Sequence, residues 1–347
     1  MIKTGQIKAI HDTKFDGIYI GISINEFNNL GFEFGDSVDL YFSNSFVVKD
    51  CPYYDGYYIK NNEYDLCGYS SYAMPCLSLQ GINLWKYSKL SENDTVEVIL
   101  NTKYKYKSIQ DAFKQFHPSN KDYYVSDVAF ANFRELKSKN IKKNFIFRGG
   151  SPICNDFGFM HTVNELMKQY NIQYVINLSE TKEQLKDMVL SSKEDYITNL
   201  YNKNKIIPLD ISAFPRELKY AQKLVKGLNE MIINDGPVYI HCMEGKDRTG
   251  FLCVLLLALT DGTYDDFLKD YMETYKNFYY VDEINTPDKY KAIKDLYFDY
   301  RMMNDLCDGE NIQDLSKYCF KDEAIKYLKY GGMSDFNIQK LIKYISL

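Results

Sequence analysis

The sequence predicts a chain in two parts, an all-β barrel or sandwich followed by an α/β domain with a mostly parallel sheet flanked by helices. Three observations lead there. The 347 residues exceed one domain of ordinary size and suffice to bury a core in each of two. Between residues 17 and 100, short runs rich in β-branched and aromatic residues are broken by turn signals. After Asn140 the pattern changes to strands alternating with amphipathic helices.

In the first part the runs place strands at 18–23, 37–42, 46–49, 57–60, 76–79 and 95–100. They are separated by Asn28-Asn29, Gly35-Asp36, Asp55-Gly56 and Asn61-Asn62. Six short strands in about eighty residues suggest a small barrel, and Gly35-Asp36-Ser37-Val38 resembles the turn-and-strand of double-psi-type barrels. No catalytic constellation occurs here. A short helix is expected at 108–116, and His117-Pro118-Ser119-Asn120 supply a break. The expected domains are therefore 1–116 and 117–347. Lys103-Tyr104-Lys105-Tyr106-Lys107 alternates base and ring in a way that can serve single-stranded nucleic acid. An exposed edge strand guarded by lysines is the simpler reading.

In the second part, strands are expected at 144–147, 173–178, 205–209 and 237–241, and helices at 160–170 and 182–191. A long helix at 215–233 carries Leu218, Ala221, Leu224, Val225, Leu228 and Ile232 on one stripe. Beyond Gly250 the chain reads as helical to its end.

Composition narrows the function. With 45% apolar and 26% charged residues and a net charge of −5, the chain is an ordinary globular protein without a general electrostatic grip on nucleic acid or an anionic membrane. Neither a signal-peptide core nor a membrane-length apolar run occurs, the longest being 251–259. A soluble, cytoplasmic protein is expected. Eight cysteines lie at irregular spacings with no Cys-x-x-Cys pair, so neither a disulfide framework nor a zinc cluster is favoured. Composition leaves the oligomeric state open.

One cysteine stands apart. His241-Cys242-Met243-Glu244-Gly245-Lys246-Asp247-Arg248-Thr249-Gly250 lies between the apolar strand and an apolar helix expected to start near Thr249. A strand feeding a short loop and a helix points successive amide N–H groups and the positive helix end into one concavity, an anion cradle. The thiolate of Cys242 is stabilised by the same field and is the nucleophilic form. The loop can return Arg248 to a tetrahedral oxyanion with two parallel hydrogen bonds. Gly245 permits close backbone approach, and the Thr249 hydroxyl can bond the sulfur.

This stretch is the His-Cys-x5-Arg-Thr-Gly signature of the cysteine-dependent protein tyrosine phosphatase superfamily. Its Gly-Lys-Asp-Arg-Thr-Gly variant resembles the bacterial tyrosine and phosphoinositide phosphatases of the dual-specificity branch. Asn132-Phe133-Arg134-Glu135 and Phe147-Arg148-Gly149-Gly150-Ser151 resemble the family's opening segment and a strand end. Phe267 to Met272, Thr274 to Asn277, and Tyr327-Leu328 with Gly331 to Ser334 resemble its carboxy-terminal helices. The likeness spans residues 126–347 and leaves the barrel region outside. The chain departs from the family at Ile176-Asn177-Leu178-Ser179, usually Ile-Asp-Leu-Arg, and at Glu135-Leu136-Lys137-Ser138, usually Asp-Leu-Gly-Gly. These differences bear on the surface round the pocket, and so on the substrate rather than the reaction.

The resemblance implies hydrolysis of phosphotyrosine, with phosphoserine, phosphothreonine or phosphoinositide as further substrate classes, through a phosphocysteine and without metal or cofactor. Cys242 is then the nucleophile, and Arg248 with the amides from Met243 to Arg248 holds the phosphate. For His241 the resemblance implies a loop-ordering role, and a satisfied core histidine is the alternative. Lys246 is implied to offer charge to a second phosphate, with a solvated lysine as its alternative. Two aspartates compete as general acid. Asp247 matches the acid of the Gly-Lys-Asp-Arg subgroup, whereas Asp210 stands 32 residues before the cysteine, as a movable acid loop would; the resemblance favours Asp247. Arg134 and Arg148, two of only five arginines against 37 lysines, are read as making directed structural contacts. The competing class is a catalytically weak phosphate-binding or scaffolding protein whose main role lies in the barrel.

Overall fold

A computed structural model describes residues 2–13, 16–60, 62–69, 72–80, 82–114, 119–212, 214–307 and 314–347. The chain divides into two compact units, Met1–Gln115 with Lys291–Leu296, and Phe116–Tyr290 with Tyr297–Leu347. The expected break at His117-Pro118 lies outside the described residues, as do Asn61 of one turn signal, the end of the helix expected at 108–116, and residues 308–313.

In the first unit seven strands close a barrel in the order β1-β2-β6-β5-β4-β3-β7. They are β1 (Ile7–His11), β2 (Ile18–Ile20), β3 (Ser37–Phe42), β4 (Val47–Tyr54), β5 (Tyr64–Cys67), β6 (Cys76–Leu79) and β7 (Thr95–Thr102), with helices α1 (Ile24–Asn29), α2 (Leu84–Ser88) and α3 (Lys107–Phe113). Alternation fills the interior, Val38, Leu40 and Phe42 on β3 meeting Val96 and Val98 on β7. Two expectations change. Residues 57–60 are not a strand: the strand beside β4 is β5, which pairs parallel to β4 and antiparallel to β6, while Tyr57 and Tyr58 direct their hydroxyls to Tyr72 and Asp55. And β1 was not anticipated, because only Ala9 in it is fully buried and its apolar alternation is faint.

The Lys-Tyr alternation is not an edge strand either. After β7 the chain turns, and buried Asp36 organises the turn by accepting from the Tyr104 amide (2.9 Å) and Lys103 Nζ (3.0 Å). Lys105 pairs with Asp50 and Lys107 with Asp111. These ammonium groups each face a carboxylate.

The second unit is built on a five-stranded sheet of order β11-β10-β12-β9-β8. Its strands are β8 (Arg134–Glu135), β9 (Ile146–Gly149), β10 (Tyr174–Asn177), β11 (Ile206–Pro208) and β12 (Val238–His241). The pairings β10 with β11, β10 with β12 and β12 with β9 are parallel; β8 joins β9 antiparallel. The central strands are buried on both faces, as parallel strands between layers are. The helices are α4 (Asp127–Phe130), α5 (Met160–Gln169), α6 (Lys182–Ser192), α7 (Asp195–Asn202), α8 (Leu218–Met231), α9 (Asp247–Leu259), α10 (Tyr264–Tyr279), α11 (Pro287–Ile293), α12 (Asn304–Cys307), α13 (Phe320–Tyr330) and α14 (Asp335–Ile345). A π-helical stretch, Lys294–Met303, follows α11, and Lys291–Leu296, where the two meet, group with the first unit. Every residue of α9 from Thr249 to Leu259 is buried. A helix apolar all round belongs inside a core, and α9 is thereby fixed behind the loop that precedes it.

Register sets the site. His241 pairs with Gly149 on one side and Asn177 on the other, so three strands end at one level and their following loops meet. Parallel sheets place functional loops at this carboxyl edge. None of the described helices is long and apolar enough to cross a membrane.

Candidate active site

The loop from Cys242 to Lys246 is held from outside by its carbonyls. His241 Nδ1–H donates to the Cys242 oxygen (2.9 Å), the Ser151 amide to Met243 (3.0 Å) and Asn132 Nδ2 to Glu244 (3.2 Å). Arg148 Nη2 donates to Gly245, and the Gly250 amide to Lys246 (2.7 Å). Five consecutive C=O groups are thus turned onto scaffold donors. In a trans peptide the N–H points opposite to the C=O, so this turns the intervening amides toward the concave side, where the amino end of α9 also points.

Gly245 makes the curvature possible. Gly245 has φ +70°, and a Cβ there would lie 2.1 Å from the Gly149 oxygen. A left-handed backbone alone costs any other residue about 1–2 kcal/mol, and backbone against backbone cannot give way. Gly245→Ala is therefore expected to lower the melting temperature and to reduce kcat/KM on an aryl phosphate on the order of 100-fold through displacement of the loop. Parental values for both would contradict this account of the loop.

Behind the loop lies a buried ionic cluster. Arg148, fully buried, pairs with Asp270 on α10, and Arg134 donates to the same carboxylate through Nε (3.0 Å). Arg134 also grips the Asp270 carbonyl (2.7 Å), Thr274 Oγ1 (2.9 Å) and Asn132 Oδ1 (2.6 Å). Burial alone would raise the Asp270 carboxyl, but Arg148 and Arg134 outweigh it and hold the group below its ordinary range. The cluster connects α10 to Gly245 through Arg148 and to Glu244 through Asn132. The structural role expected of both arginines thus has a definite form, that of fixing the loop.

His241 is buried, and burial pushes its imidazole down to about 4, against the pull of the Cys242 carbonyl. The neutral ring carries its proton on Nδ1 to make that bond, while Nε2 has no hydrogen-bond partner among the described residues. Its one bond is thus made to the first carbonyl of the loop. Cys242 is buried, with 4% of its surface exposed.

Thr249 Oγ1 is buried without a hydrogen-bond partner among the described residues, so the bond expected to the sulfur is not made. The helix begins at Asp247 rather than near Thr249, and Thr249 lies in its first turn. Lys246 is not a solvated lysine. Its side chain is 13% exposed, with Nζ 3.3 Å from Glu244 Oε2 and from Tyr279 OH, 3.8 Å from Asp247 Oδ2, and over the Tyr279 ring at 5.1 Å. Burial opposes its charge, but Asp247 and Glu244 outweigh that and hold it protonated. The ammonium thus faces two carboxylates, Glu244 and Asp247.

The two aspartates differ. Asp247 is the first residue of α9, its side chain 68% exposed, with Tyr271 OH 3.5 Å from Oδ1. Asp210 sits at φ +45° in the turn after β11, where Lys223 Nζ grips both its carbonyl and Oδ2 (2.8 Å). The Asp210 turn does reach the site by its backbone, since Ile211 O lies 3.5 Å from Arg248 Nη1.

All eight cysteines are free, seven of them buried, and the described residues include no group of His, Cys, Asp and Glu arranged to hold a metal.

The chain belongs to the tyrosine phosphatase family, whose model matches residues 129–340, and so to the cysteine-based phosphatases. Among solved structures it is similar to the core catalytic domain of the PP-IP phosphatase SIW14 from S. cerevisiae in complex with citrate. That likeness has 15% identity and a TM-score of 0.29, and covers 47% of this chain and 86% of that one. No curated protein matches the chain significantly.

Asp270, Asn132 and Thr274 were not singled out as site residues from sequence. A signal was present: Asp270 falls on the apolar stripe of α10 with Phe267, Tyr271, Thr274, Tyr275 and Phe278. A carboxylate on a buried stripe needs a cationic partner, and the two rare upstream arginines supply it.

Proposed function

We propose that this protein hydrolyses phosphotyrosine monoesters in two steps, with Cys242 as nucleophile and Arg248 and the loop amides as the phosphate site. The observation that carries the proposal is the outward turn of five successive carbonyls onto scaffold donors. It is a preorganised arrangement suited to the charge of a phosphoryl transition state. Cys242 sulfur attacks phosphorus as the P–O bond to the leaving group breaks, and Asp247 gives that oxygen its proton. Water then attacks the phosphocysteine, Asp247 takes a proton back, and the S–P bond breaks to release phosphate. Arg248 spans two equatorial oxygens through both steps. Guanidinium and amides supply the positive charge that a divalent cation supplies elsewhere, so activity is expected to persist in a chelator.

Asp247 is favoured over Asp210 because it begins the helix behind the cradle and its ammonium neighbour, Lys246, stands 3.8 Å off, whereas Lys223 holds the carbonyl of Asp210 and its carboxylate at 2.8 Å. Asp247→Asn is expected to lower kcat about 10²–10⁴-fold on a poor leaving group, and much less on an activated phenol that leaves without a proton. Asp210→Asn is expected to keep most of the parent's rate. The reverse pattern, read from kcat across a series of aryl phosphates, would move the acid to Asp210. A panel of phosphotyrosine peptides, phosphoserine peptides and phosphoinositides tests the substrate. Phosphate binding without turnover of any of them would favour a binding module.

A further inference from the structure

Between Cys242 and Asp247 the loop carries two charged side chains, and both meet the carboxyl end of α10. Glu244, Lys246 and Tyr279 close a triangle. Tyr279 OH donates to Glu244 Oε2 at 2.8 Å, Lys246 Nζ stands 3.3 Å from that same oxygen, and Nζ is also 3.3 Å from the Tyr279 hydroxyl. Asp247 Oδ2 is 3.8 Å from the ammonium, which lies over the rings of Tyr275 and Tyr279 at 5.8 and 5.1 Å. The reaction proposed above uses the amides of this stretch and leaves the Glu244 carboxylate without a task.

An ammonium beside a phosphate site draws a second anion only while its charge is uncompensated. Glu244 compensates Lys246 at contact distance, and the Tyr279 hydroxyl fixes the carboxylate by a charge-assisted bond that swinging aside would break. When Asp247 carries the proton that the first step needs, Glu244 and Lys246 sum to zero charge. Once that proton is given up, the three side chains sum to one negative charge. In neither state does this side of the cradle offer net positive charge. A phosphate brought against the Glu244 carboxylate meets like charge where water screens only in part, the Lys246 side chain being 13% exposed. The transferred phosphate is held by Arg248 and the amides and does not draw on Lys246.

We propose that Glu244 is a specificity residue: it occupies Lys246, and so directs the site to esters with a single phosphate, such as an isolated phosphotyrosine, and against rings bearing a second phosphate on the neighbouring atom. This rests on the phosphatase reading of the same loop and narrows its substrate class.

Calorimetry on the full chain carrying Cys242→Ser compares phenyl phosphate with catechol bisphosphate, the same ring with a second phosphate on the adjacent carbon. The bisphosphate is expected to bind no more tightly than the monophosphate. Adding Glu244→Gln keeps an oxygen for Tyr279 and removes the charge. It should raise affinity for the bisphosphate relative to the monophosphate about tenfold or more, the size of one charge-assisted contact to the ammonium. With Lys246→Met also present that gain should vanish, because it passes through the ammonium. A several-fold preference for the bisphosphate with Glu244 in place, an unchanged ratio in Glu244→Gln, or the same gain without Lys246 would each overturn the proposal. If circular dichroism shows Glu244→Gln unfolded, Tyr279→Phe removes the hydroxyl that fixes the carboxylate and should shift the ratio the same way by a smaller factor; the parent's ratio there would equally overturn it. This selectivity in a chain that hydrolyses no ester would defeat the proposed activity and leave the inference standing, whereas turnover of phosphotyrosine with a preference for the bisphosphate would do the reverse.

Discussion

Cys242→Ser is expected to lose on the order of 10⁴-fold or more in kcat on an aryl phosphate while melting at the parent's temperature and still binding tungstate. The substitution is nearly isosteric, and the loop does not depend on the side chain for its shape, since the Cys242 residue is held through its carbonyl by His241. Chemistry is another matter. A serine hydroxyl attacks phosphorus only when a base removes its proton. The one histidine beside it directs Nδ1 to the backbone and is kept from accepting a proton by burial, its imidazole pushed down to about 4. Rapid-quench experiments should trap a phosphoenzyme in the parent and none in the variant. Arg248→Ala should fail differently, losing tungstate affinity along with turnover, because the guanidinium acts on both bound phosphate and transition state. A Cys242→Ser protein with parental turnover would remove the sulfur from the mechanism altogether.

What could be read from the sequence follows from which interactions are local. Strands β3 and β6 were placed to the residue, and α5 and α6 within one residue at either end, because alternation and helical period are carried by neighbours in the chain. The loop that carries Cys242 was legible as a strand–loop–helix element for the same reason: strand, loop and helix are consecutive in the chain. The partners that hold the loop were not. Asn132 reaches Glu244 across 112 residues and Arg148 reaches Gly245 across 97, and no periodicity encodes such separations. Lys246 and Thr249 illustrate the same boundary. Their side-chain types permitted a phosphate contact and a sulfur contact, but their surroundings, the Tyr275–Tyr279 face of α10 for Lys246 and the early start of α9 for Thr249, come from residues or boundaries that local pattern does not fix.

Asp270→Ala is expected to destabilise the second unit by about 3–5 kcal/mol, because it leaves two buried guanidinium groups facing each other with their common carboxylate gone. Removing one member of a buried ion cluster costs more than replacing the whole by apolar groups. A triple variant with Arg134 and Arg148 also made apolar is therefore expected to recover part of the loss in chemical denaturation. The carboxyl is held below its ordinary range in the fold, so its contribution is complete above the unfolded value of about 4 and disappears only as pH falls through the lower folded value. Parent and Asp270→Ala should accordingly differ by a constant amount from pH 5 to 8 and converge in strong acid. Activity should fall as well in whatever fraction remains folded. With Asp270 gone, Arg148 is free to leave the Gly245 carbonyl, while Arg134 loses its Nε partner but keeps the main-chain carbonyl of residue 270 and Thr274, from which it holds Asn132 on Glu244. One of the five carbonyls that turn the amides inward would then be released and a second held less firmly. An Asp270→Ala protein as stable and as active as the parent would mean that the loop keeps its curvature without the ionic cluster, and that α9 and Gly245 alone suffice to shape the phosphate site.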